Sequence, residues 1–120
     1  MLLKQIVDIL EGEVHTETFD GELEITSGGA ADLMSDVLAF TTGGNSILLS
    51  GLTNLQVLRT AEMANITAIV FVRGKTPQQS TIELAEELSI PLISCRHTLY
   101  QASGLLMSAG LPDNGMATIL

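Results

Sequence analysis

A single cysteine, Cys95, is all that 120 residues offer, so the chain makes no internal disulfide and assembles no thiolate zinc site. That usage fits a reducing compartment, and a cytoplasmic protein is expected. Basic residues are scarce as well: five Lys and Arg stand against fourteen Asp and Glu, for a net charge of -9. The long-range field of such a chain repels phosphate backbones and anionic lipid, so neither nucleic acid nor a membrane is expected as a partner. Runs of about 18 apolar residues are missing, and the start Met1-Leu2-Leu3-Lys4 lacks the basic region of a signal peptide. No second His or carboxylate stands at metal-ligand spacing from His15 or His97, so no metal and no cofactor are expected. What remains is 46% apolar and only 16% charged, far from the composition of a disordered chain. A length of 120 residues suits one core, and a single soluble domain over 1–120 is expected, in parts 1–45, 46–110 and 111–120.

The segment Thr67-Ala68-Ile69-Val70-Phe71-Val72 is apolar on both alternating sets, the pattern of a strand covered on both faces of a parallel sheet. From residue 46 onward strands and helices alternate: strands over 46–50, 67–72 and 92–94, helices over 54–64, 77–88 and 98–109. Thr53 or Asn54 caps the first helix and Asn65 ends it; Thr76 caps the second; Gly110 and Pro112 end the third. Three consecutive βα units of this kind predict an α/β fold, a mostly parallel mixed sheet with helices packed on it. Before them, Leu2, Leu3, Ile6, Val7 and Leu10 predict a short helix closed by Gly12. Two brief strands are expected at 14–16 and 23–26, around the turn Asp20-Gly21. Ser27-Gly28-Gly29-Ala30 reads as a tight turn into a helix over 31–40, with Leu33, Met34, Val37 and Leu38 as its apolar face and Asp32 at its positive end.

Right-handed crossovers bring all three strand-to-helix turns to the carboxyl edge of the sheet, where open α/β sheets bind ligands. Those turns are Gly51-Leu52-Thr53-Asn54, Arg73-Gly74-Lys75-Thr76 and Arg96-His97-Thr98, and they hold three of the five Lys and Arg residues. Nine of the fourteen carboxylates, Asp8, Glu11, Glu13, Glu17, Asp20, Glu22, Glu24, Asp32 and Asp36, lie instead in the first forty residues. The edge is therefore expected to take a small anionic metabolite or nucleotide. Arg73, Lys75 and Arg96 would neutralise its charge, and Thr53, Asn54, Gly74, Thr76 and Thr98 would supply backbone and hydroxyl hydrogen bonds. The alternative makes these cations solvated loop residues paired with Glu83, Glu86 and Glu87. Gly74-Lys75-Thr76 is not a nucleotide-binding P-loop, because the glycine that motif needs five residues earlier is Ile69, inside the strand.

Cys95 and His97 are two apart and in principle form a nucleophile and base, although a buried small hydrophobe is the commoner state of a free cysteine. The helix over 98–109 contains no Asp, Glu, Lys or Arg, which points either to deep burial or to a homodimer built on Tyr100, Leu105, Leu106 and Met107. The apolar end Met116-Ala117-Thr118-Ile119-Leu120 reads as an added strand, in a partner's sheet, or as a frayed tail.

Several segments together resemble a DRTGG domain, a module similar to the amino-terminal domain of HPr kinase/phosphorylase. They are Ala31-Asp32-Leu33-Met34-Ser35-Asp36-Val37-Leu38, Leu48-Leu49-Ser50-Gly51-Leu52-Thr53-Asn54, residues 68–74, and Ile90-Pro91-Leu92-Ile93 with Thr98 and Tyr100. The resemblance implies an α/β fold with a largely parallel sheet, a tendency to dimerise, and regulation rather than catalysis. Such modules are attached to phosphotransacetylases and to pyrophosphatases with nucleotide-sensing domains, and stand-alone members occur in anaerobic bacteria near hydrogenase genes. The chain departs from the pattern where Asp-Arg becomes Thr53-Asn54 and Thr-Gly-Gly becomes Arg73-Gly74-Lys75. The kinase's catalytic machinery belongs to a separate phosphate-binding-loop domain, whose motif this sequence lacks. The expected function is a non-catalytic regulatory or sensing module; the alternatives are a dimeric scaffold acting on a partner enzyme and, last, a Cys95-dependent enzyme.

Overall fold

A computed structural model describes residues 1–41 and 44–114, with Phe40 described by its backbone alone. Five strands, β1 (Glu13–Val14), β2 (Ser27–Ala30), β3 (Ser46–Ser50), β4 (Ala68–Phe71) and β5 (Leu92–Ser94), form one sheet in the order β1-β5-β4-β3-β2. The last four pair in parallel, and β1 runs antiparallel to β5 at the edge. Five helices cover this mixed α/β sheet: α1 (Leu3–Leu10), α2 (Met34–Phe40), α3 (Leu55–Met63), α4 (Gln79–Leu88) and α5 (Leu99–Ser108). The expected class, consecutive βα units on a mostly parallel sheet, is the one observed, with β2-α2 as a fourth unit ahead of the three expected.

Because β2 to β5 lie side by side in chain order, right-handed crossovers send α2, α3 and α4 to the same face. Alternation along each strand then sorts the core into two layers. Leu48, Ile69, Phe71 and Leu92 pack under Met34, Val37, Val57, Leu58, Leu84 and Ala85 on that face. Ile47, Leu49, Ala68, Val70, Val72 and Ile93 pack under Leu3, Ile6, Leu10, Ala102 and Leu106 of α1 and α5 on the other. Both sets are buried, which is why β4 and the centre of β3, Ile47-Leu48-Leu49, read as unbroken apolar runs.

The first third departs from the sequence reading. Residues 23–26 are not a strand: Glu24 makes an isolated antiparallel bridge with Leu2, and Ile25 N–H bonds Met1 O at 2.7 Å. The strand is the Gly-Gly segment instead, paired with β3 from Ser27↔Ser46 to Ala30↔Leu49. It is glycine-rich because residues 112–114 run along its outer edge, with Gly28 N–H on Pro112 O at 2.9 Å and Asn114 N–H on Gly28 O at 3.0 Å. A Cβ on Gly29 would lie 2.5 Å from Asn114 Nδ2. The expected strand at 14–16 is shifted to Glu13–Val14, and α1 closes on Glu11, in the left-handed region at φ 52, rather than on Gly12. Gly12 serves close packing: its Cβ would stand 2.7 Å from Ile93 Cγ2 and 3.3 Å from Ser94 O. The expected strand over 116–120 lies outside the described residues.

Two helix starts also move. α2 begins at Met34, not at 31, since Ala31 N–H still extends the sheet to Leu49 O at 3.1 Å; Leu33 and Leu38 face out, while Met34 and Val37 face in. α4 is capped at Gln78 rather than Thr76. Pro77 holds the residue before it out of helical geometry, so Thr76 stays in the loop.

Candidate functional site at the carboxyl edge

The ends of β3, β4 and β5 converge, with Gly51, Arg73 and Arg96 each just past its strand. The β4 and β5 loops are bonded to each other, Arg73 N–H to His97 O at 2.7 Å and Gly74 N–H to Cys95 O at 2.8 Å. Arg73 and Gly74 both take left-handed backbone, at φ 66 and φ 70, and this pair of residues reverses the chain in so short a space. The reversal presents Arg73 to solvent, next to the exposed Arg96 on the neighbouring loop.

Lys75 behaves differently from the two arginines. Its Nζ donates to Gly51 O at 2.6 Å, tying the β4 loop to the β3 loop. From the other side, Asp32 Oδ1 accepts from Gly51 N–H at 2.7 Å and from Ser50 Oγ at 3.1 Å. Ser50 Oγ in turn accepts from Leu52 N–H at 3.1 Å. Gly51 is thus held at its N–H by a carboxylate and at its C=O by an ammonium, which fixes the turn into α3. Asp32 does not serve the dipole of α2; it is a clamp on the β3 turn. The sequence reading missed it because it took 27–30 as a turn rather than as a strand whose end delivers Asp32 to this edge.

The remaining predicted residues divide. Asn54 stands at the cap position of α3 and Gln78 at that of α4, and neither side chain makes a capping bond, whereas Thr98 Oγ1 is committed to Gln101 N–H at 3.1 Å. Thr53 contributes its carbonyl to Thr81 Oγ1 at 3.5 Å, and Thr76 is exposed. Pairing of the cations with Glu83, Glu86 and Glu87 is not seen: the ion pairs among the described residues are Met1 amino group–Glu24, Lys4–Glu22 and Arg59–Glu62, and Glu86 accepts from Thr18. Arg73 and Arg96 make no ion pair among the described residues. Since the parallel strands keep chain order, the edge has no reversal point and no crevice of the kind that holds dinucleotides; charge and free donors converge on an open rim.

No family model matches the chain, and no curated protein matches it. Among solved structures, the CBS and DRTGG domains of the regulatory region of Clostridium perfringens pyrophosphatase, complexed with the activator diadenosine tetraphosphate, match at a TM-score of 0.69 and 22% identity. The fold is DRTGG-like. The match covers 94% of this chain and 48% of that one, so the chain spans about half the length of its neighbour. At this identity the likeness concerns architecture, and it does not extend to an HPr kinase.

The thiol of this DRTGG-like fold is poorly placed for catalysis. Cys95 is 3% exposed, and burial pushes its pKa up, only partly opposed by a hydrogen bond from the His97 backbone. His15, just past β1, has its Nε2 2.7 Å from Ser94 Oγ on β5. No group of three His, Cys, Asp or Glu side chains able to hold a metal occurs among the described residues. On α5, Leu106 turns into the chain's own core at 3% exposure, which removes it from any outer face, while Tyr100 is 90% and Met107 65% exposed. An open groove of about 380 Å³ runs over His97, Tyr100, Gln101, Gly104, Leu105 and Ser108. No helix of the described residues is long and apolar enough to cross a membrane.

Proposed function

We propose that this chain is a non-catalytic regulatory module that senses a small anionic metabolite or nucleotide at the carboxyl edge of its sheet. The observation that carries the reading is the pair Arg73 and Arg96: two exposed guanidinium groups on adjacent, mutually bonded loops, without ion pairs among the described residues, in a chain of net charge -9. Elsewhere the acidic surface repels anions; at this rim the local field attracts them. Planar forked donors suit phosphate. The structural neighbour is a regulatory region bound to a nucleotide activator, which supports the class of function.

Thermal unfolding at fixed protein and salt, against diadenosine tetraphosphate, ATP, pyrophosphate and sugar phosphates, tests the reading. A ligand specific to the folded state adds about 2.7 kcal/mol at a hundredfold excess over its dissociation constant, a shift of several degrees. Joint reversal of Arg73 and Arg96 to Glu abolishes that shift while leaving the unliganded melting temperature close to wild type. Lys75 is left intact because its loss would loosen the Gly51 turn. A shift that survives the double reversal places the anion elsewhere and refutes this site.

A second reading is favoured by α5, whose outward face carries Tyr100, Leu105 and Met107 and no charge. In it the module is a homodimer, or docks a partner enzyme, through that face.

A further inference from the structure

Along the carboxyl edge Asp32 stands at one end and the two arginines at the other, with Lys75 Nζ drawn to Gly51 O beside the carboxylate. Asp32 lies just beyond β2, at the outer side of the parallel array, whereas Arg73 and Arg96 follow β4 and β5. With strands about 4.8 Å apart, the three spacings from β2 to β5 separate these ends by roughly 14 Å. A free inorganic phosphate has no donor to offer the Asp32 carboxylate. A ligand that carries negative charge at one terminus and hydrogen-bond donors at the other matches both.

The state of Asp32 sharpens the match. Its Oδ1 already takes two hydrogen bonds, from Gly51 N–H and Ser50 Oγ, which fix the carboxylate in orientation. Its Oδ2 takes none among the described residues, and the side chain is exposed. Gly51 leaves the space beside it open: a Cβ there would touch Oδ2 at 3.4 Å and Oδ1 at 3.5 Å. A carboxylate oxygen held in place, with no donor from the described residues, is a strong acceptor for paired hydroxyl groups.

We infer that Asp32 is the specificity residue of the rim: its Oδ2 accepts from the vicinal hydroxyls of a ribose whose phosphates reach toward Arg73 and Arg96. The ligand class is then a phosphorylated polyol, a nucleoside polyphosphate or a sugar phosphate. This inference rests on the anion-sensing reading above and adds to it a requirement for hydroxyl groups. Asp32 makes that requirement because a ribose without hydroxyls would displace water from Oδ2 without giving it a donor.

Calorimetric titration with ATP, 2′,3′-dideoxy-ATP, tripolyphosphate and ribose 5-phosphate, in chelator and then in magnesium, provides the test. Wild-type protein is expected to bind ATP about tenfold more tightly than dideoxy-ATP, as the loss of a charged hydrogen bond requires. Asp32→Asn keeps an oxygen for Gly51 and Ser50 but replaces Oδ2 by a donor, and it erases the difference between the two nucleotides. The wild-type comparison stands by itself if the variant proves unstable. Ribose 5-phosphate matching ATP identifies the sugar phosphate as source, and ribose 5-phosphate failing identifies the nucleotide. Equal binding of ATP, dideoxy-ATP and tripolyphosphate overturns the role of Asp32 while leaving an anion site intact. A preference seen only with magnesium also overturns it, since the carboxylate would then hold the cation. No binding of any probe overturns both readings.

Discussion

Arg73 occupies left-handed backbone, where a side chain costs about 1 kcal/mol relative to glycine, and its guanidinium makes no ion pair among the described residues in return. A residue kept against its backbone preference, with an unpaired charge at the rim, fits a binding role better than a structural one. Arg73→Gly is accordingly expected to raise stability by up to about 1 kcal/mol in urea unfolding while weakening anion binding about tenfold. A loss of stability would mean that the side chain supports the loop. At Cys95 the folded chain holds the thiol protonated beyond its ordinary value of 9.0. A raised folded-state pKa gives a contribution fully present below the unfolded value and lost as pH rises through the folded one. Stability should therefore decline as pH rises beyond the unfolded thiol's value of about 8.5, and Cys95→Ala should flatten that part of the profile while lowering the plateau. The same burial predicts a native thiol inert to alkylation near neutral pH and reactive once unfolded; rapid native labelling would revive the enzyme alternative.

Element ends show where local reading works and where it does not. The apolar centres of β3 and β5 place those strands, and α5 is capped at Thr98 with its reciprocal bonds to Gln101. By contrast, the end of α1 was assigned to glycine on propensity, yet Glu11 takes the left-handed turn and Gly12 makes room for Ile93. The two roles separate experimentally. Glu11→Gly should be neutral or stabilise by about 1 kcal/mol, because it relieves the positive φ. Gly12→Ala should destabilise by about 1 to 3 kcal/mol, because Ile93 is fully buried and the Ser94 carbonyl belongs to the sheet. Equal effects in urea denaturation would show that the glycine acts as a terminator after all. The Gly28-Gly29 strand is the same lesson in another place: two glycines read locally as a turn, but they flatten an edge so that residues 112–114 lie against it. No local signal carries that, since the partner segment is more than 80 residues away.

At the scale of the molecule, the charge distribution governs association. Two copies of net charge -9 repel each other, so a dimer is favoured only where the contact is neutral, and α5 is a helix without Asp, Glu, Lys or Arg. If the second reading holds, Tyr100→Glu with Met107→Glu should turn a dimer into a folded monomer in sedimentation, and added salt should strengthen the wild-type dimer by screening. Leu106→Asp is the uninformative choice, because it buries a charge in the chain's own core and unfolds the protein. A wild-type chain that sediments as a monomer at all salt concentrations refutes the homodimer. The βα alternation, the two-sided apolar strands and the gathering of Arg73, Lys75 and Arg96 at one edge were all legible in the amino-acid order, because periodicity and crossover handedness are local rules. Which cations remain available was decided only in three dimensions: Lys75 is drawn to the Gly51 carbonyl, and Asp32 arrives from a strand that the sequence presents as a turn. Such partners meet through loop geometry between distant segments, and residue order carries no record of that geometry until the sheet has assembled.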